Sequence, residues 1–593
     1  MSCFNGNTSR TLLSYIDTRV GTAASITKTA GLFGKHTEEY GQTLPAVLEP
    51  NGMNFWTPQT QDTEMKCISP YYYRDTLMQG FRNSHWIVGG CTQDYGSMTL
   101  MSITDSLRCL PERRATPFSH DSEIATPAYY SVVLPKEKII AELTSRSRSA
   151  IFRFTYNDNG KAYLVVNPNS DESLGYIELD TIQKIIYGYN PVHRIYQGWG
   201  EYAGFDGHFV VKYQKDITGF GTFKDDSIFE GKTSVANGNG IGIYISFDIT
   251  KGEEVLVKAA SSFTSKEGAL ANLNSEIPDW NFDNVRNQLS DIWEKHLSSI
   301  DVDTDDELSK RKFYGAFYRA SFLPRTFNDV DGKYPSFAKG NPIMKLPKDE
   351  TYYEDFSVWD TYRALHPLLN IIKPKKAGQM MNSLVLKYEQ GGWLPIFPCW
   401  NSYTAAMIGD HCISLLGDAY IKGINGFDIE KAYTAMRKNA FIHPTDKEYM
   451  DGCGRRALQS YTEYGYIPLE DSVKEAFHAC EQVSRTLEYA YDDYVLSTVA
   501  ERLGKTDDAK DLLSRARNYL NVISPVSGYA QGRYSDGSFL TDDNSFDFVK
   551  FITEGAPCHY TWYVPHDVYG LMKSMGGKGK FVSKLDSMFT QNR

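Results

Sequence analysis

The periodicity of the chain changes near Trp280, and this limits the available folds more than any other feature. Before it, short runs rich in β-branched and aromatic residues recur: Tyr129 to Leu134, Ile139 to Arg146, Ala150 to Tyr156, Ala162 to Asn167, Gly207 to Gln214 and Gly242 to Asp248. Pro, Lys, Asp, Asn and Gly punctuate these runs with no helix between them, which predicts an antiparallel β-sandwich rather than a parallel sheet. After it, Phe282, Val285, Leu289, Ile292 or Trp293, and Leu297 recur at helical spacing. Helices are then predicted over Leu308 to Phe322, Val358 to Ile372, Lys376 to Lys387, Thr404 to Tyr420, Ile429 to Lys438, Val473 to Arg502, Thr506 to Tyr519, Val564 to Met575 and Phe581 to Phe589; in Val473 to Arg502 a buried stripe runs through Val483, Leu487, Ala490 and Tyr494, and the stretch before Ala479 also reads as a separate short helix. The reading is a β-sandwich domain over residues 1–275, a helical linker over 276–304 and a helical domain over 305–593. Paired helices with irregular joins suggest a double ring with a site at one mouth.

A chain of 593 residues exceeds the size of a single core, so several units are expected. The net charge of -11 leaves no basic track for a nucleic acid. No stretch approaches the roughly eighteen apolar residues of a membrane span. Met1 to Arg10 lacks the apolar run of a secretory signal, so the protein is cytoplasmic or an export signal has been removed. Nine cysteines, from Cys3 to Cys558, form no C-x-x-C pair or metal-binding cluster and read as mostly unpaired core residues.

Cutting a glycosidic bond needs one carboxyl group to protonate the leaving oxygen and another to activate water or attack carbon. The acid candidate is Glu554, on a loop crowded by His559, Tyr560 and Trp562, where desolvation would raise its pKa. The alternative is a capping or salt-bridging Glu. A second cluster is Trp359-Asp360-Thr361 followed by Arg363 and His366. Asp360 and Arg363, three apart, can share a helix face and grip vicinal hydroxyls, and Trp359 can stack on a sugar; otherwise Asp360 caps the helix and Trp359 is core. A third runs from Gly391 through Trp393 to Pro398 and on to Met407-Ile-Gly-Asp-His411, where Trp393 and Trp400 would face a ligand and Asp410 and His411 would contact it. His85 and Asp94 lie in a glycine-rich polar stretch of the first half. Asp301 to Glu307 lacks the spacing of a calcium loop and reads as a solvated helix cap.

The same residues resemble glycoside hydrolase family 92, the calcium-dependent exo-α-mannosidases, collinearly over nearly the whole chain. The matching blocks include Tyr15-Ile-Asp-Thr-Arg-Val-Gly-Thr22, Gln42-Thr-Leu-Pro-Ala46, Asp94-Tyr-Gly96 and Pro324-Arg-Thr-Phe-Asn-Asp-Val-Asp-Gly332. They continue with Val358-Trp-Asp-Thr-Tyr-Arg-Ala-Leu-His-Pro367, Gly392-Trp-Leu-Pro395, Met407-Ile-Gly-Asp-His411, Ser484-Arg-Thr-Leu-Glu-Tyr-Ala-Tyr-Asp-Asp493 and Phe551-x-Thr-Glu-Gly555.

The resemblance implies an N-terminal β-sandwich and a C-terminal (α/α)6 toroid with the pocket between them. It also implies removal of terminal α-mannose from glycans with inversion, and a calcium ion that grips the sugar. Glu554 matches the family's general acid and Asp360 a mannose-binding residue. His85 and Asp94 match the sandwich's contribution. Trp359, Arg363, Trp393, His411 and His559 complete the expected substrate contacts; the metal ligands have no assignment. After Gly555 the family continues Asn-x-Trp-Gln-Tyr where this chain has Ala556-Pro-Cys-His-Tyr560, which puts linkage preference in question. The family's Gly-Asn-Glu-Pro-x-His and Gly-Asn-Asp-x-Gly blocks, to which the resemblance assigns much of the calcium environment and the general base, are not found, and Asp542-Asp543-Asn544 does not match in context. The expectation is therefore a toroid lacking its closing helices, with a further C-terminal segment missing or separate. A non-hydrolytic glycan-binding or degenerate member, or another toroid enzyme such as a phosphorylase or lyase, are the competing readings. The family points to export in many glycan-degrading bacteria, and so to a periplasmic or extracellular protein if a signal was removed.

Overall fold

The computed structural model describes residues 11–27, 41–61, 67–169, 172–193, 195, 201–238, 240–337, 339–473, 476, 478–541 and 545–590. Met1 to Arg10 and Asp542-Asp543-Asn544 lie outside the described residues. The chain divides into a β-rich unit, residues 1–193, 204–335 and 340–355, and a helical unit, residues 194–203, 336–339 and 356–593.

In the β-rich unit, the described residues form a seven-stranded and a nine-stranded sheet, with three further two-stranded ribbons. The larger sheet runs through Ile185–Pro191, Asp206–Tyr213, Glu254–Ser262, Ser149–Tyr156, Ile139–Ser145 and Tyr129–Leu134 as neighbours, each pair antiparallel. The smaller places Ser97–Thr104 and Ile241–Ile249 on either side of Gly160–Asn169, again antiparallel. Apolar residues alternate along these strands and their rings meet between the sheets. Trp56 of one sheet meets Phe152 of the other edge-on at 5.8 Å, and Phe81 lies 5.8 Å from Phe152 and 6.1 Å from Tyr130. The helix Lys266–Glu276, capped by Ser265, lays Ala269 and Leu273 against Ile151, Val210 and Ala260 of the larger sheet. The helix Phe282–Leu297 buries Phe282, Val285, Leu289, Trp293 and Leu297, the positions the periodicity picks out. Asp306 caps the next helix, Glu307–Ala320, as the acidic run suggests. Cys67 and Cys91 are joined, whereas Cys109, Cys399, Cys412, Cys453, Cys480 and Cys558 are free.

The helical unit is organised around the helix Gln482–Arg502. It is buried nearly all round, from Val483, Leu487 and Ala490 on one side to Ser484, Glu488 and Asp492 on another. Tyr494, expected in the apolar stripe, is 36% exposed instead. Cys412–Ile421, Ile429–Phe441 and Thr506–Arg515 pack against this helix. No helix among the described residues is long and apolar enough to cross a membrane.

Three predicted helices need correction. Val358 to Ile372 is two helices, Val358–Thr361 and Leu365–Ile372. Pro367 has no N–H, and in a continuous helix its ring would meet the carbonyl of Arg363, so the first helix stops short. The helix placed over Thr404 to Tyr420 begins only at Cys412, because Ala405, Met407 and Gly409 adopt left-handed φ values of 52°, 57° and 77°. The one placed over Val473 to Arg502 begins at Gln482, after Glu481 at φ 57°.

Candidate active site

The helical unit brings together two segments far apart in sequence, each carrying an exposed carboxyl group. Glu554 sits at φ 48°, a left-handed conformation that costs a non-glycine residue roughly 1–2 kcal/mol and persists only when its surroundings impose it. Those surroundings are the start of the Gln482–Arg502 helix. The Thr553 N–H donates to Ser484 Oγ at 2.9 Å, and the Val483 N–H to the Phe551 carbonyl at 3.1 Å. The Glu554 side chain reaches solvent. Its pKa is nonetheless raised, first by partial desolvation and then by the charges of Asp360 and Glu481, with His478 opposing. Asp360, also solvent-reaching, accepts from Ser357 Oγ at 2.7 Å; partial desolvation of its carboxyl by the surrounding protein raises its pKa, with Ser357 and Arg363 working against the rise. Both groups therefore hold a proton to a higher pH than a free carboxylate would.

Beneath these carboxyls is a buried charged floor. Glu488 Oε1 accepts from Trp359 Nε1 at 3.0 Å and from the Tyr560 hydroxyl, and the Arg363 guanidinium lies 3.8 Å away. Glu488 Oε2 faces His411 Nε2 at 3.1 Å, and His411 Nδ1 faces Asp492 Oδ1 at 3.0 Å. Tyr362 stacks on the imidazole at 3.8 Å between centroids. Burial alone would depress the pKa of His411, but Asp492 and Glu488 more than offset this and lift it to about 9. Asp492 also accepts from the Ser414 hydroxyl and the Asp410 N–H. Asp410 passes the network to Arg455, whose guanidinium binds Asp410 at 2.9 Å and Asp493 at 2.6 Å with all three side chains closed to solvent. A cavity of about 300 Å³ adjoins this floor, lined among others by Tyr362, Arg363, His366, Asp418 and Tyr563.

The structure thus gathers Glu554, Asp360, Trp359, Arg363 and His411 within one unit. His411 is 1% exposed and engaged at both ring nitrogens. Arg363 spreads over Trp359 at 4.8 Å and Tyr362 at 4.9 Å. His559 is exposed, its Nδ1 accepting from the Ala556 N–H at 3.1 Å. Trp393 and Trp400 do not form the open rim expected of them, being 2% and 1% exposed. The Trp393 ring packs with Phe337, Tyr403 and Cys453 while its Nε1 donates to Glu448 at 2.9 Å, which satisfies both its apolar face and its polar edge. His85 and Asp94 belong to the β-rich unit. There Asp94 is held by Arg82 at 2.9 Å and by the N–H groups of His85 and Tyr95, and the His85 ring nitrogens lie 2.7 Å from the Tyr95 carbonyl and 2.6 Å from Asn54 Oδ1. Burial and the nearby Arg325 keep the His85 pKa well below its ordinary value.

Glu488, Asp492 and Arg455 carry no individual role in the sequence reading. Their spacing, Ser484, Glu488 and Asp492 at i, i+4 and i+8, puts them on one face of a helix that also buries Gln482, Arg485, Thr486 and Asp493, so the stripe does not stand out in the sequence. Calcium takes about six to eight oxygen ligands. Among the described residues no three His, Cys, Asp or Glu side chains converge to hold a metal, and the paired acids Glu488 and Asp492 are both engaged by His411.

Comparison with known proteins agrees with this architecture. Residues 15–262 match the glycosyl hydrolase family 92 N-terminal domain and residues 268–593 the glycosyl hydrolase family 92 catalytic domain. The structure of a family 92 inverting mannosidase from Bacteroides thetaiotaomicron superposes with a TM-score of 0.87 at 29% identity, covering 98% of this chain and 74% of that one. A family 92 α-mannosidase from the same organism gives 0.85 at 31% identity, covering 98% and 75%. An uncharacterized secreted glycosidase of Arthroderma benhamiae is 24% identical over 637 residues, 98% of this chain and 74% of its own length. The chain therefore spans about three quarters of the length of these relatives. With both domains matched in order and a relative above 30% identity aligned along nearly all of it, this chain belongs to glycosyl hydrolase family 92.

Proposed function

We propose that this glycosidase is an inverting exo-α-mannosidase in which Glu554 is the general acid. The single observation that carries the reading is the pairing of Glu554 with Asp360: two solvent-reaching carboxyls, each held protonated to a higher pH than usual, above a floor that includes Trp359. Similarity to two relatives, an inverting mannosidase and an α-mannosidase, supports the choice of sugar and of stereochemistry. In this reading Asp360 accepts hydrogen bonds from hydroxyls of the terminal mannose, Trp359 packs against the ring, and Glu554 gives its proton to the departing glycosidic oxygen. His559, exposed five residues beyond Glu554, is a further candidate for contact with the substrate.

The helical unit is read as an (α/α)6 toroid, and the domain limits as 1–275, 276–304 and 305–593. The secreted relative supports an extracellular or periplasmic location.

The acid role is tested by leaving-group dependence. Glu554→Gln should lose mannose release from an alkyl α-mannoside by about 10²–10⁴-fold, yet retain much of its rate on a dinitrophenyl α-mannoside, whose leaving group needs no proton. Equal losses on both substrates would remove Glu554 from the role of acid.

A further inference from the structure

Trp359 and Tyr560 are brought to the same atom although 201 residues separate their segments in a neighbouring contact, Tyr362 to Tyr563. Trp359 precedes Asp360 on its short helix, and Tyr560 closes the helix Pro557–Tyr560 that follows the Glu554 loop. Both donate to Glu488 Oε1, one through an indole N–H at 3.0 Å and the other through a phenol O–H. Glu488 is fully buried and is fixed from behind through His411, which is itself anchored by Asp492 one helical turn further along. Four residues earlier on the same helix, Ser484 receives the Thr553 N–H.

We infer that Glu488 is a positioning residue: its single carboxylate oxygen ties the segment bearing Asp360 to the segment bearing Glu554 and thereby sets the spacing between the sugar-binding carboxylate and the acid. Its substrate-level consequence rests on the mannosidase reading above, whereas its structural half does not. The geometry favours this role over direct contact with substrate. Glu488 is closed to solvent, Oε1 already accepts two donors, which fill its two lone pairs, and Oε2 faces His411, so Oε1 offers a sugar hydroxyl no free site. The same geometry makes His411 part of the support rather than a ligand contact. It also explains the glycine at position 409. A Cβ there would lie 2.3 Å from His411 Nε2 and 2.6 Å from Glu488 Oε2, so no larger residue fits beside the pair.

The test compares Glu488→Gln with Glu488→Ala in the whole chain. The carboxamide oxygen of Gln can still accept from Trp359 and Tyr560, while Ala releases both. On an aryl α-mannoside, Glu488→Ala should lose kcat/KM by on the order of a hundredfold, the scale of losing hydrogen bonds to a charged group, and Glu488→Gln should recover to within about tenfold of wild type. In crystals of Glu488→Ala the Trp359 and Tyr560 rings should be displaced relative to the Gln482–Arg502 helix, and in Glu488→Gln they should stay. Equal loss in both variants with unmoved rings would show that the charge, not the positioning, matters, and would overturn the inference. So would an Ala variant with wild-type kinetics. If wild type releases no mannose, the functional reading fails alone and the ring positions decide the positioning claim. Should Glu488→Ala not fold, Trp359→Phe and Tyr560→Phe remove the donors singly. Each should then lower kcat/KM by about tenfold in the wild-type background and by a similar factor in Glu488→Gln, whose carboxamide oxygen keeps both bonds, and wild-type kinetics in both single variants would overturn the claim.

Discussion

Raising the pH should unlatch the floor of the site at one residue. The two ring nitrogens of His411 face carboxylate oxygens of Glu488 and Asp492 at 3.1 and 3.0 Å, and a neutral imidazole can donate to only one of them. The folded pKa of about 9 stands against an ordinary value of 6.5. Because the folded state binds this proton more tightly, the stabilisation is fully present below the unfolded pKa and is lost as pH rises through the folded one. At about 1.4 kcal/mol per pKa unit, the helical unit should lose roughly 3 kcal/mol over this window. The depressed pKa of Asp492 belongs to the same pair and is not counted again. Asp410, raised to about 6 by burial and by Asp492 with Arg455 opposing, titrates below most of this window; the raised thiols of Cys453 and Cys558 add to the slope near its upper end in wild type and variant alike. The assay is urea unfolding read by pulse proteolysis, with fragments assigned by mass so that the helical unit is followed by itself, at pH values from about 6.5 to about 9. His411→Gln should be less stable at the acid end and show a shallower slope than wild type across the window. Parallel slopes for wild type and His411→Gln would refute the doubly donating imidazolium.

Arg455→Met leaves Asp410 buried without its guanidinium and should cost about 3–5 kcal/mol, seen in calorimetry as a fall in Tm of about 2–4 °C per kcal/mol. Gly409→Ala, at φ +77° and against His411 and Glu488, should destabilise by about 1–3 kcal/mol in urea and lower mannoside hydrolysis with it. At position 554, Glu554→Gly should be more stable than Glu554→Ala by roughly 1 kcal/mol in urea, because glycine removes the left-handed strain, while both remain without acid catalysis.

Local pattern carried far into this fold. The strand read as Tyr129 to Leu134 has those bounds, and the amphipathic helix before residue 300 buries the residues its spacing names. Pattern failed where a single covalent feature overrode it, as at Pro367, and where backbone turns serve a distant partner. Residues 404–411 look helical by composition, but the chain there must deliver the Asp410 N–H to Asp492 across 82 positions. Glu554 stands out in the sequence as a carboxyl on a loop crowded by aromatics, and the structure gives it a left-handed backbone and a raised pKa. Glu488 does not stand out, because its partners Trp359 and Tyr560 lie 129 and 72 positions away, and inside its own helix it resembles any other polar residue. Trp393 misled for the converse reason: a glycine-flanked indole looks like a ligand platform until Phe337, Tyr403 and Cys453 close around it.

The most direct test of the central claim is to follow hydrolysis of an α-linked mannoside by proton NMR during the first turnovers. The account predicts that β-mannose appears first and then mutarotates, and that Glu554→Gln abolishes the signal. Initial release of α-mannose, or undiminished release by Glu554→Gln, would contradict it.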